Sequence, residues 1–165
     1  MSPFLPENYK MPETVSKYLK FKSGQNAFRI LGDSVAGFVD WKEDGEGKKP
    51  VRTPHTQPKP EPLGEQEVRA FWAFPVWCYA DNCVKILELT QVSIMNSLNA
   101  LITNVAWGAP QNYDLIVTKT GEKKETRYQL MPKPPKELSP EIMGKWVGTK
   151  INLNALFTND DPFKE

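Results

Sequence analysis

Strand-like alternation of apolar and polar positions recurs along this chain, and helical spacing is clear in only one long stretch. The richest segment is Ala70 to Thr90, AFWAFPVWCYADNCVKILELT. Phe71, Trp72, Phe74, Trp77 and Tyr79 crowd its first ten residues, and aromatic residues favour a pleated, half-buried surface. Ala80, Asp81 and Asn82 supply turn chemistry, and Val84 to Leu89 returns as a second strand. Successive strand side chains point to opposite faces. Trp72, Phe74, Val76 and Cys78 therefore share one face, and Phe71, Ala73, Pro75, Trp77 and Tyr79 share the other. Both faces are apolar. The even-numbered face is assigned to the core. The odd-numbered face is either a binding platform or a surface covered by the rest of the chain.

The flanking pattern completes a mainly β chain. Ala27 to Leu31 and Val35 to Lys42 read as short strands, and Pro50 to Thr53 as a return along the second. Pro54 to Glu67 holds four prolines and Gly64 and reads as an irregular loop. Ile94, Leu98, Leu101, Ile102 and Val105 recur at helical spacing, so 91–104 reads as an amphipathic helix capped by Thr90. Tyr113 to Lys119 and Glu125 to Met131 form a last hairpin. Ser139 and Pro140 open a short helix toward Val147, and Asn152 to Phe157 adds a turn. Strands, hairpin, one helix and hairpin is the layout of a five-stranded Greek-key barrel of the oligonucleotide-binding type (the OB-fold). An open α+β sheet with the helix on one face is the alternative. The expected organisation is an N-terminal arm over 1–16, a domain over 17–136, a helical extension over 137–157 and an acidic tail over 158–165.

The 165 residues suit one domain with a sizeable core. Net charge is only +1, but its distribution is uneven. Residues 17–59 hold nine basic and five acidic side chains, and residues 119–136 hold six and two. No apolar run approaches the roughly 20 residues that span a bilayer, and no signal peptide is visible, so a cytoplasmic location is expected. Two cysteines, Cys78 and Cys83, make no disulfide framework. Enzymatic readings find no support. His55 is the sole histidine and sits in the proline-rich loop, which leaves no triad. Gly47-Lys48 lacks the earlier glycine and the following Ser or Thr of a phosphate-binding loop, since Lys42 and Lys49 stand there. Asp40, Glu43, Asp44 and Glu46 lack the ligand spacing of a calcium loop.

Single-strand binders combine a basic groove for phosphates with aromatic rings on which bases stack. Lys20, Lys22, Arg29, Lys48, Lys49 and Arg52 from the first basic segment are the expected phosphate contacts, with Lys119, Lys123, Lys124 and Arg127 from the second. Trp41, Trp77 and Tyr79 are the expected stacking rings. Rival readings are an RNA-binding barrel and an assembly protein whose aromatic strand is a subunit interface.

The ordered set KYLKFKSGQNAFRIL, GFVDW with PVR downstream, FWAFPVW, KILELTQ and WGAPQNYDLIVTKTGEKKETRYQLMPKP resembles the single-stranded-DNA-binding proteins of tailed phages, from about Lys17 to Pro134. The resemblance implies an OB-fold without catalysis, coating single-stranded DNA in the replication or recombination of phage DNA in a host cytoplasm. It also raises zinc, which the T4-type helix-destabilising protein holds on one His and three Cys. His55, Cys78 and Cys83 are one ligand short of the four a structural site needs, so no metal or other cofactor is expected. Asp160, Asp161, Pro162 and Phe163 resemble the acidic tip of bacterial single-stranded-DNA-binding proteins, followed here by Lys164 and Glu165. The tip is expected to be mobile, to compete with DNA for the basic groove, and to dock on replication or recombination proteins.

Overall fold

A computed structural model describes residues 4, 7–8, 16–45 and 47–163, with the backbone alone at Asp44. Most of the expected N-terminal arm, Glu46 and the last two residues lie outside the described residues. The chain forms β1 (Gly24–Ile30), β2 (Val35–Asp44), β3 (Gly47–Pro54), β4 (Arg69–Cys78), β5 (Cys83–Leu89), α1 (Val92–Ile102), β6 (Asp114–Thr120), β7 (Arg127–Pro132) and α2 (Pro140–Val147), then a 3₁₀ turn over Leu153–Thr158. The architecture is mainly β, with the expected helix ahead of the last hairpin. Ser139 caps α2 as its sequence predicts, accepting the Ile142 N–H, and Pro140 follows at the first helical position. The cap of α1 differs. Gln91 holds that place without a side-chain hydrogen bond, and the helix stops at Ile102. No described helix is long and apolar enough to cross a membrane.

The strands make one antiparallel sheet in the order β3-β2-β4-β1-β6-β7, with β5 on the other edge of β4. β2 pairs with the first half of β4 (Val35↔Ala73 to Val39↔Arg69), and β1 pairs with its second half (Phe28↔Cys78 to Ile30↔Val76). β1 and β2 are thus one long strand, broken at 31–34. Pro75 lies opposite the break. Its carbonyl accepts the Leu31 N–H at 2.9 Å, and its missing donor falls on the same edge, at the end of the β1 ladder where the facing strand breaks. This is how a proline is tolerated inside a central strand.

The expected five-stranded closed barrel gives way to seven strands in an open sheet. Closure would require an outer edge of β3 or β5 to meet β7. The edge of β5 is already occupied, because Ile86 exchanges two 2.9 Å backbone bonds with Lys17 and Leu19. β3 carries Pro50, Lys48 and Lys49, and missing donors and charge discourage further pairing.

The two apolar faces of β4 have different covers. Phe74 and Val76 join Phe28, Ile30, Leu87, Leu89, Leu115 and Val117 in a core closed by Ile94, Met95 and Leu98 of α1. Phe71, Ala73, Val39 and Ile86 form a second cluster on the opposite face, capped by Leu156 of the 3₁₀ turn with Ile151, Leu153 and Phe157 around it. The Phe71 and Phe157 rings lie 5.8 Å apart. α2 continues this cover. Trp146 packs near Gly32 and Pro75, and the Lys145 ammonium sits 5.4 Å from the Trp77 ring centroid. Burying one large apolar side chain contributes about 1.5–3 kcal/mol. Several such groups hold this cover down, against ~1–3 kcal/mol for stacking one base. The odd-numbered face is therefore a second core rather than a free platform.

Candidate nucleic-acid interface

With that face closed, an open groove remains beside the β2–β3 hairpin. Asp40 builds it. Its buried carboxylate accepts the Trp41 N–H on one oxygen (2.8 Å) and the Leu63 N–H on the other (2.7 Å). The second bond ties the proline-rich loop to β2 and raises a wall beside the hairpin. Two hollows result, of about 720 and 580 Å³. Trp41, 45% exposed, lines both. It sits opposite Pro50 in the β2–β3 register, a partner too small to cover an indole. Tyr18, Lys20, Val39 and Arg69 border the larger hollow, and Lys42, Lys48 and Gly64 the smaller.

Lys20, Lys42, Lys48 and Arg69 are exposed, as are Glu65 and Glu67 of the same lining. Glu43 lies 3.9 Å from Lys48 at the surface, an ion pair of little strength in water. Glu88 on the floor of the larger hollow is neutralised by Arg52, whose Nε and Nη2 donate to its two oxygens at 3.1 and 2.8 Å. Arg52 Nη1 also donates to the Leu156 carbonyl at 3.4 Å. Arg52, expected as a phosphate contact, is thus a floor strut. Burial pushes the Tyr18 hydroxyl above its ordinary pKa, opposed by the Arg52 charge.

Arg29 and Trp77 are also internal groups. Arg29 is 2% exposed. It donates to the Gln111 carbonyl (2.8 Å), the Lys136 carbonyl (2.6 Å) and Asp114 Oδ1 (3.3 Å). The Tyr79 hydroxyl donates to the same Asp114 oxygen at 2.6 Å, so Tyr79 is bound into this network. Burial and the Asp114 hydrogen bond push the Tyr79 hydroxyl up to about 12. Burial favours a neutral Asp114, but hydrogen bonds from Tyr79, Lys136 and Arg29 outweigh it and hold the carboxyl below its usual range. Trp77 is 3% exposed beneath Lys145.

Of the predicted residues, the structure brings Lys20, Trp41 and Lys48 to the groove, with Arg52 in its floor. Lys22, Lys119, Lys123, Lys124 and Arg127 gather instead at the far end of the sheet. Lys119 is opposite Gly24, and Phe21 meets Tyr128 at 6.0 Å. Lys49 borders a smaller hollow with Asn159 and Asp160. The sequence reading did not single out Tyr18, Lys42 or Arg69. Lys42 follows Trp41 directly, a usable signal; Arg69 and Tyr18 reach the groove through pairing with strands far along the chain.

The acidic tip is docked. Pro162 is buried and Phe163 joins the second cluster. Cys78 and Cys83 are free thiols in directly opposed register positions, and His55 is exposed in the proline-rich loop. Among the described residues no group of three or more His, Cys, Asp or Glu is placed to hold a metal ion. Comparison of the chain with protein-family models, curated proteins and solved structures finds no match.

Proposed function

We propose that the protein binds single-stranded DNA, largely without regard to sequence, along the Trp41 groove, and that its sheet is an opened form of the OB-fold. The observation that carries this reading is a half-exposed indole standing between two hollows bordered by four exposed cations, with the exposed Glu43, Glu65 and Glu67 interspersed among them. A base can stack on that ring while the cations reach the flanking phosphates. The resemblance to tailed-phage proteins supplies the setting, which is protection of single strands during phage DNA replication, recombination or repair.

The test is a titration with oligo(dT), oligo(dC) and oligo(dA) at several salt concentrations. Trp41→Ala weakens all three about 5- to 150-fold, the equivalent of ~1–3 kcal/mol of stacking. The logarithm of affinity falls with the logarithm of salt at a slope of roughly −2 to −3, from about 0.7 per phosphate over three or four cations. An unchanged affinity in the Trp41 variant overturns the groove, and a slope near zero overturns its electrostatic part. Tighter binding of oligo(rU) than oligo(dT) transfers the groove to RNA.

A further inference from the structure

The C-terminal tip touches the segment that forms one wall of the groove. After the 3₁₀ turn the chain reverses at Asn159, whose φ is +58°, and the Asp160 N–H donates to the Ala155 carbonyl at 3.0 Å. Pro162 then accepts the Asn152 N–H at 2.7 Å and is buried. Phe163 lies in the cluster that also contains Tyr18, and the Lys17 ammonium stands 5.1 Å from its ring centroid. Lys17 to Leu19 are held on their other side by the two backbone bonds to Ile86. Tyr18, Leu19 and Lys20 then line the larger hollow.

We propose that the tip 160–163 is a latch that positions the segment 17–20, so that Pro162 and Phe163 build the DNA groove from behind. The inference rests on the groove proposed above and concerns its assembly. Its sign is opposite to that of an acidic competitor. A competitor leaves the groove when DNA enters, whereas the latch stays docked while DNA is bound. The site is ready only in the fraction of molecules whose wall is seated, and apparent affinity scales with that fraction.

The test truncates the chain after Asn159 and measures oligo(dT) affinity across salt concentrations, with amide exchange followed in parallel. The truncated protein binds about 5- to 10-fold more weakly at every salt concentration, as a wall seated about 10–20% of the time requires. Its salt slope stays unchanged, because no groove cation is lost. Exchange accelerates at the Leu19 and Ile86 amides and stays slow in β4 and β6. Where truncation prevents folding, Phe163→Ala and Phe163→Leu provide the same comparison, and Leu restores most of the affinity that Ala loses. Tighter binding at low salt, or unchanged exchange at Leu19 and Ile86, overturns the latch. Failure of the full-length protein to bind oligo(dT) counts against the groove instead, and the exchange comparison still decides whether the tip seats the segment.

Discussion

Arg29 separates a folding role from a binding role, because it was expected to meet phosphate and instead lies at the centre of a buried network. Arg29→Met keeps much of the aliphatic volume and removes three hydrogen bonds. The Gln111 and Lys136 carbonyls lose their guanidinium donors, and Asp114 loses its buried counter-charge. Lys136 remains 3.2 Å from Asp114, but its side chain is 63% exposed, and such a pair contributes at most about 1 kcal/mol. Breaking a buried pair on one side costs about 3–5 kcal/mol. That is a large share of the 5–15 kcal/mol typical of a folded domain. With a urea dependence of about 2 kcal/mol per molar, the unfolding midpoint falls by roughly 1.5–2.5 M. The assay is urea unfolding followed by far-ultraviolet circular dichroism, paired with oligo(dT) binding of the folded variant. An unchanged midpoint with lost DNA binding would refute the argument and return Arg29 to the phosphates.

Four further outcomes rest on contacts described above. The depressed Asp114 carboxyl contributes stability that is complete above its unfolded value of about 3.9 and is lost as pH falls through the lower folded value, so the urea midpoint drops below pH 4 and drops less in Asp114→Asn. Tyr79, raised to about 12, acts at the other end: its contribution is whole below about pH 10 and disappears as pH rises toward the folded value, read as a late tyrosinate absorbance step missing from Tyr79→Phe. Trp77→Ala opens a void under α2 and costs about 3–5 kcal/mol in a thermal or urea melt, while Trp41→Ala leaves the melt nearly unchanged; equal losses would contradict their burial. In Gly37→Ala the new Cβ would stand 2.1 Å from the Thr53 carbonyl oxygen and 3.1 Å from the Phe71 and Phe157 rings, so the β2–β3 pairing must spread at a cost of about 3 kcal/mol, seen as a lowered midpoint.

The strands and the main helix were legible because each carries its own period. Ala27 to Leu31, Ala70 to Cys78 and Ile94 to Leu98 needed no knowledge of their partners. The cover over the second face of β4 was not legible in this way. Both faces are apolar, so alternation cannot rank them, and the groups that close the odd face come from Trp146 and Leu156, some seventy residues or more further on. Arg29 misled for a related reason. A cation between Phe28 and Ile30 follows the pattern of a solvent-facing position, but its carboxylate partner, Asp114, is 85 residues away. The groove was half legible. Trp41 beside Lys42 and near Lys48 marked the hairpin, whereas Asp40, which shapes the hollow by holding Leu63, reads in sequence as one more surface acid.

The break opposite Pro75 also governs how the sheet carries load. β3 and β2 are joined to one half of β4, and β1, β6 and β7 to the other, while the covalent link at 31–34 adds only the Leu31 bond to that ladder. Relative shear of the two halves is therefore resisted by the continuous backbone of β4 and by β5 alongside it. The proline that removes one donor marks a mechanical seam: a bend there can change the curvature of the sheet without unzipping either set of strands.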